Sequence, residues 1–327
     1  MVAMAILLGF LSLVIAYLLL KFFSRSHKLN NFGSKFILIT GCDSGFGRLS
    51  ALRLDQLGFH VIATCLTKKG QEDLQKLCSE RTTTFLLDVT SSTQIQELYS
   101  AITRSLIPQG VGLWALINNA GIFISGPIEW QSLDIYKRTA DVNLWGMIDM
   151  TKTFLPLIKK AKGRVVNFSS AAGRASATFS SSYCISKYGV EAFSDALRRE
   201  MKPWNVEVVI MEPGGHSTDI LNVMNKRCMW KKQWDELNTG VKEEYGEEYF
   251  DRVFESFCKS IRHISSDFSK VVSAVEDAVT LQRPRDRYVV GLDAQFLCVL
   301  SMLPSSISDA FSNAIVNVPL PRKLQTE

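Results

Sequence analysis

Seven short apolar runs, spaced along most of the chain and separated by segments of helical pattern, constrain the fold more than any other feature. They are "KFILIT" (35–40), "FHVIAT" (59–64), "TFLLDV" (84–89), "LWALIN" (113–118), "RVVNFS" (164–169), "VEVVIM" (206–211) and "RYVVG" (287–291). Each is bounded by turn formers or charges and is apolar on successive residues, as strands are when helices cover both faces of a parallel sheet. Between most of them lie helical segments such as "GRLSALRLDQLG" and "SSTQIQELYSAITRSL". This alternation predicts an α/β fold, a Rossmann-type doubly wound parallel sheet of about seven strands. A chain of 327 residues, 46% hydrophobic and 21% charged, is long enough to bury one large core around such a sheet.

One stretch interrupts the alternation. Residues 214–271 are helical, charged and aromatic, and they separate the sixth and seventh strands as an insertion suited to substrate binding. Trp230, Trp234, Tyr249, Phe250, Phe254 and Phe257 recur there at roughly helical spacing. Such a stripe either packs a small core or lines an apolar pocket. Further on, "AQFLCVLSML" (294–303) is too short to span a bilayer and is bounded by Asp293 and Pro304, which predicts a core helix, with membrane-surface contact as the second reading.

Residues 2–20 carry no charge, and as a helix they would reach about 28 Å, close to the thickness of a bilayer's hydrocarbon core. A cleaved signal peptide is the competing reading. The run has no basic segment before it and no Ala-x-Ala-like site after it, so an uncleaved anchor is favoured. Lys21, Arg25 and Lys28 follow it with no acid before Asp43, which places the remaining chain on the cytosolic side. The predicted organisation is therefore an anchor at 1–23, a linker at 24–34, an α/β domain at 35–292 and a C-terminal segment at 293–327. The net charge of +5 is dispersed, without a basic stripe, and gives no case for nucleic acid. Cysteines 42, 65, 78, 184, 228, 258 and 298 form no Cys-x-x-Cys pair and no cluster with histidine, so free thiols are expected and no metal site is assigned.

Directly after the first strand, "TGCDSGFG" (40–47) leads into a helical pattern. Its glycines allow a tight turn and close approach of a ligand, and the helix that follows offers free N–H groups to a pyrophosphate. No Gly-Lys-Ser/Thr accompanies the loop, which excludes a Walker-type phosphate site. Tyr183 and Lys187 form a Tyr-x-x-x-Lys pair at the start of an amphipathic pattern. The same spacing at Tyr17 and Lys21 lies in the greasy N-terminal run, so context rather than spacing has to give the pair its meaning.

That context is supplied by the whole set. Thr40-Gly41-x-x-x-Gly45-x-Gly47, Asp88, Asn118-Asn119-Ala120-Gly121, Asn143, Ser170, Tyr183-x-x-x-Lys187 and Pro213-Gly214 occur in the order and spacing of the short-chain dehydrogenases/reductases, and the chain resembles that family over about 36–292. The resemblance implies an NAD(P)-dependent alcohol dehydrogenase. In it Tyr183 exchanges the substrate's hydroxyl proton, Lys187 grips the nicotinamide ribose, Ser170 hydrogen-bonds the substrate oxygen and Asn143 holds a water in a proton relay. Positions i and i+4 share a helix face, so the Lys187 ammonium is expected to lower the Tyr183 pKa from near 10 and make it a usable base. Implied cofactor contacts are Thr40, Gly41, Asp43, Ser44, Gly45, Phe46, Gly47, Cys65, Asp88, Val89, Asn118, Ala120, Gly121, Lys187, Pro213, Gly214 and Thr218. Substrate contacts are Ser170, Tyr183 and His216.

NAD-dependent dinucleotide folds usually hold the adenine ribose with an acid at the end of the second strand, where this chain has Cys65. Asp43 in the glycine loop would nevertheless repel a 2′-phosphate, with Lys68 and Lys69 as possible offsets, so NAD is expected over NADP. "CLTKKG", "GLWALINNAG", "GRVVNFSS" and "YCISKYGVEAFSDALRREM" are similar to the membrane-bound retinol and hydroxysteroid dehydrogenase branch. This implies a lipophilic small-molecule substrate, an endoplasmic reticulum membrane location, with a mitochondrial membrane as alternative, and pairing of two copies through the helices containing 143 and 183. After Pro213-Gly214 the chain reads "GHST" where the family commonly has bulky aromatics and a basic residue. A 3-hydroxybutyrate-type dehydrogenase and a non-catalytic dinucleotide scaffold remain as alternatives.

Overall fold

The computed structural model describes Gly9, Ser12 and residues 27–216, 223–262 and 264–325. The expected anchor, apart from those two positions, and Thr218 lie outside the described residues. Among the described residues no helix is long and apolar enough to cross a membrane.

The seven expected runs form one sheet: β1 (Phe36–Ile39), β2 (His60–Cys65), β3 (Thr82–Leu86), β4 (Ala115–Asn118), β5 (Arg164–Phe168), β6 (Glu207–Pro213) and β7 (Arg287–Val290). All pairings are parallel, in the order β3-β2-β1-β4-β5-β6-β7. Twelve helices accompany the strands among the described residues: α1 (Gly45–Gln56), α2 (Lys68–Gln75), α3 (Ser92–Ala101), α4 (Leu133–Ala140), α5 (Gly146–Ala161), α6 (Ser181–Met201), α7 (Val223–Asp235), α8 (Thr239–Tyr245), α9 (Tyr249–Ser260), α10 (Ser269–Thr280), α11 (Leu292–Leu300) and α12 (Ser305–Ile315).

Alternate strand residues feed two cores. Ile37 and Ile39 of β1 pack with α1 and α10, whereas Phe36 and Leu38 pack with α3, α5 and α6 on the other face. The third strand departs from expectation. Thr82, Thr83 and Thr84 pair with Val61, Ile62 and Ala63, while Leu87 and Val89, inside the apolar run at 84–89, lie beyond the strand and fill the second core. β-branched threonines suit the sheet's edge.

The insertion after β6 builds a third, aromatic core from Trp230 and Trp234 of α7 with Tyr249, Phe250, Phe254 and Phe257 of α9, closed by Trp130 and Phe179 from the main domain. The stripe therefore packs. α10 returns to the main body, where the guanidinium of buried Arg164 donates to the Ala278 and Leu281 carbonyls at 2.7 and 2.9 Å and satisfies its C-terminus. In the C-terminal segment α11 buries Ala294, Cys298 and Leu300 but leaves Leu292 84% exposed, and α12 buries no residue. The strand order reverses between β1 and β4, and the crevice beyond their carboxyl ends is where a doubly wound sheet binds ligands.

Candidate active site

The loop from β1 to α1 and the loop after β4 interlock at that crevice. The Thr40 hydroxyl accepts from the Asn119 and Ala120 N–H groups, both at 3.1 Å, and the Asn119 side-chain amide donates back to the Thr40 and Gly41 carbonyls, both at 2.9 Å. Gly41 has a φ of +71°, and a Cβ there would stand 2.8 Å from the Ala120 Cα. A Cβ at Gly47 would collide with the Gly41 carbonyl and the Asn119 amide. Ser44 precedes α1 without capping it through its side chain, so the first-turn N–H groups point into the crevice uncapped. These features fit a dinucleotide: a backbone cradle with no room for side chains, and a helix N-terminus for its pyrophosphate.

Asp43 closes the adenosine side. Its carboxylate accepts from Leu66 N at 2.8 Å, Thr67 N at 2.9 Å and the Thr67 hydroxyl at 2.6 Å, which ties the glycine loop to the end of β2. Cys65, the last residue of β2, is buried, and burial pushes its thiol up to about 12. Lys68 is paired with Glu72 on the surface of α2. Asp88 binds the Thr90 N–H and hydroxyl at 2.9 and 2.7 Å, and the Val89 carbonyl faces Gly146, where a Cβ would come within 2.6 Å. The Asn118 side chain turns away from the crevice: it donates to the Thr151 hydroxyl and Asn167 and knits the sheet to α5.

α6 supplies the reactive pair. Lys187 is buried, and its ammonium donates to the Phe168 carbonyl at 2.7 Å, beside Gly121 and 5.6 Å from the centre of the Tyr183 ring. Ser170 follows β5, accepts from Ala172 N at 3.2 Å and donates to the Pro213 carbonyl at 3.4 Å, while Ser169 turns to the Lys187 carbonyl. Asn143 sits in a π-helical turn, Asp141–Trp145, between α4 and α5. Its amide bridges the Ile122 backbone in both directions, at 2.8 and 2.9 Å, and donates to Ser186 at 3.0 Å. A π-turn that breaks a regular helix at such a residue is frequent at functional sites.

The electrostatics correct one expectation. Tyr183 is not lowered by its lysine: burial pushes its phenol up to about 12, and only the hydrogen bond with Ser170 opposes this. Burial pulls Lys187 down to about 8, against which Glu191, one turn further on, pushes up. Desolvation of both groups outweighs their attraction, because the ammonium is aimed at a carbonyl and not at the phenol oxygen. The phenol therefore stands protonated at neutral pH, ready to donate a proton to a carbonyl oxygen.

His216, expected as a substrate contact, is buried. Its ring packs against Phe46 at 5.1 Å and Phe268 at 6.1 Å, and its Nδ1 lies 3.0 Å from the Gly214 carbonyl. Phe46 thereby belongs to an aromatic group on the glycine-loop side of the crevice. Pro213 ends β6, and the Gly214 N–H is bound to Val290 at 2.9 Å. Three residues at the site were not legible in the motifs: Ser186, which links Asn143 to the Tyr183 carbonyl, Phe123, whose ring meets Tyr183 edge-on at 4.9 Å, and Lys226, which lies over Phe123. Ser186 and Phe123 adjoin recognised residues, which was the available signal. Lys226 carried none.

A parallel sheet with a glycine cradle at its switch point and a Ser-Tyr-Lys set beside it, its lysine buried, defines a nicotinamide-dependent oxidoreductase of the doubly wound class. Residues 35–228 match the family model for short chain dehydrogenases, and the chain belongs to that family. It is 42% identical to short-chain dehydrogenase/reductase family 9C member 7 of Mus musculus over 88% of this chain and 92% of that protein. It is 43% identical to retinol dehydrogenase 7 of Rattus norvegicus, with 92% and 94% covered, and 41% identical to 17-beta-hydroxysteroid dehydrogenase type 6 of Bos taurus, with 94% of each covered. The crystal structure of a short-chain dehydrogenase from Streptomyces avermitilis has the same fold, with a TM-score of 0.67 at 24% identity, covering 87% of this chain and 97% of that one. The protein is an oxidoreductase whose family uses a nicotinamide dinucleotide.

Proposed function

We propose that the protein interconverts a lipophilic alcohol, such as retinol or a hydroxysteroid, and its carbonyl compound with NAD(H). The observation that carries this reading is the convergence of Tyr183, its hydrogen-bond partner Ser170 and buried Lys187 beside Phe123, whose ring meets Tyr183 and packs against the aromatic core of α7 and α9. The nicotinamide, when bound, supplies the hydride acceptor or donor. Ser170 holds the substrate oxygen, and Tyr183 gives that oxygen its proton in reduction and takes it back in oxidation. Lys187, protonated below about pH 8, favours the negative charge that forms on the phenol in reduction. Asn143 fixes the turn that holds Ile122 against α6.

NAD is favoured because Asp43 occupies the N–H donors at the end of β2 and leaves a carboxylate where a 2′-phosphate would be repelled. Relatives named for retinol and for a hydroxysteroid support the substrate class. We also place the chain at a membrane, through residues 2–20, with the α/β domain on the cytosolic face of the endoplasmic reticulum, or of a mitochondrial membrane as the alternative. The uncharged run and the exposed Leu292, Val299 and Phe311 support this placement. Pairing of two copies through the helical turn around Asn143 that leads into α5, and through α6, is part of the same reading, supported by exposed Trp145 and Ile185.

Spectrophotometric assay of the full chain against retinol, androstanediol and 3-hydroxybutyrate, each with NAD and NADP, tests the reading. Turnover of a lipophilic alcohol with NAD is expected. Turnover of hydroxybutyrate alone, or of none of the three, would overturn it in favour of a small-acid dehydrogenase or a dinucleotide-binding scaffold.

A further inference from the structure

The roof over Tyr183 contains a charge that packing does not require. Lys226 of α7 is 3% exposed. Its ammonium donates to the Phe123 carbonyl and lies 4.6 Å from the centre of the Phe123 ring, whose own edge-on partner, at 4.9 Å, is Tyr183. Burial pulls its titration down to about 8, and among the described residues no carboxylate offsets it.

Lys226, Trp230 and Gln233 are spaced i, i+4 and i+7 and so share one face of α7. All three reach the loop after β4: the Trp230 indole N–H donates to the Ser125 hydroxyl at 3.0 Å, and the Gln233 amide to the Ser125 carbonyl at 3.1 Å. Those two neutral donors already pin the helix to the loop. A third pin would need no charge, and burying an ammonium whose partners among the described residues are a neutral carbonyl and a ring is costly. An ammonium has three donors, and one carbonyl leaves the others to be met by something else.

We propose that Lys226 determines specificity by donating to a second oxygen of the substrate, at the end remote from the carbon on which Tyr183 acts. This rests on the reading of the site as a lipophilic-alcohol dehydrogenase and narrows it. Of the two substrate classes, it favours rigid alcohols with oxygens at both ends, as in steroid diols and hydroxyketones, over retinol, whose far end is hydrocarbon. A hydrocarbon end would leave the buried donors unmet, and a site built to hydrogen-bond a polar group rejects the analogue that lacks it.

The test compares androstanediol with the androstanol lacking its distal hydroxyl. Equilibrium binding to the full chain with NADH, which cannot accept hydride from the alcohol, is followed by the chain's tryptophan fluorescence, and turnover with NAD is measured in parallel. Wild type is expected to bind the diol at least about tenfold more tightly. Lys226→Met should bring the ratio near one through the dissociation constant and KM of the diol, and Lys226→Gln, which keeps a donor, should retain part of it. Equal binding of the two alcohols by wild type would overturn the proposal, as would an undiminished ratio in Lys226→Met. If Lys226→Met no longer binds NAD and so has lost its fold, the wild-type ratio and Lys226→Gln decide the matter. Discrimination in binding without turnover of either alcohol would uphold Lys226 while overturning the dehydrogenase reading, so the two failures are distinguishable.

Discussion

The crevice between β1 and β4 and the roof laid over it by α7 and α9 are held together by different means. In the crevice, backbone groups and short polar side chains make most of the ties: Thr40 with Asn119, and Asp43 with Thr67, are joined by hydrogen bonds across loops that are far apart in the chain. In the roof, aromatic rings are the main adhesive, with Trp130 within about 6 Å of Trp230, Trp234 and Phe250 and few polar ties beside them. A cradle of this sort fixes one ligand whose shape does not vary. A core of rings can repack around different apolar bodies, and under the proposed function the choice of alcohol would fall to this side of the site. Tyr183 stands where the two meet, on a helix of the frame with its ring against Phe123 under the roof.

Removing the one oxygen at that junction has the largest expected effect. Tyr183→Phe should lower turnover roughly a thousandfold, within the range for loss of a general acid or base, while NAD affinity measured by titration stays within about twofold. The substitution leaves the ring contact with Phe123 in place. Retained turnover would mean that the junction is not where the proton moves, and the division of labour between frame and roof would lose its centre.

Smaller effects should separate the regions themselves. A side chain at Gly47 meets the Gly41 carbonyl and the Asn119 amide, neither of which has space to yield, so Gly47→Val should weaken NAD roughly ten- to a hundredfold, as overpacking of a tight site does. Trp230→Ala hollows the roof without touching the cradle. It should raise the KM for a lipophilic alcohol about tenfold and leave the NAD dissociation constant near its wild-type value. Equal losses of NAD affinity in both variants would show that roof and cradle act as one body.

The same contrast decides what could be read from the chain. Glycines at 41, 45 and 47, the Asn118-Asn119 pair and Tyr183 with Lys187 perform local tasks with few alternatives, so order and spacing exposed both the crevice and the sheet. β3 was placed two residues late because hydropathy marks burial, and Leu87 and Val89 are buried outside the ladder. The sign of the shift at Tyr183 was hidden for a related reason: spacing gives proximity, but only the fold sets how dry the pair is and that the Lys187 ammonium faces the Phe168 carbonyl. Lys226 was invisible because a lysine in a charged helix reads as solvated until the helix is laid against Phe123.

Its burial can be tested without any substrate. The folded-state pKa of Lys226 lies near 8, below the unfolded value of 10.5, so between those pH values the unfolded chain binds more protons than the folded one. Stability carried by this residue therefore rises with pH through that window and is least at and below about pH 8. Lys226→Met removes the buried charge and keeps most of the volume. Relative to wild type it should gain on the order of 1–3 kcal/mol at pH 7.5, and the gain should fade as pH approaches 10.5. Because the comparison is between two chains with the same cysteines and tyrosines, their titrations cancel, and denaturant melts at three or four pH values isolate Lys226. A difference independent of pH would mean that the ammonium is hydrated in solution, and the roof would then be as open as the cradle is closed.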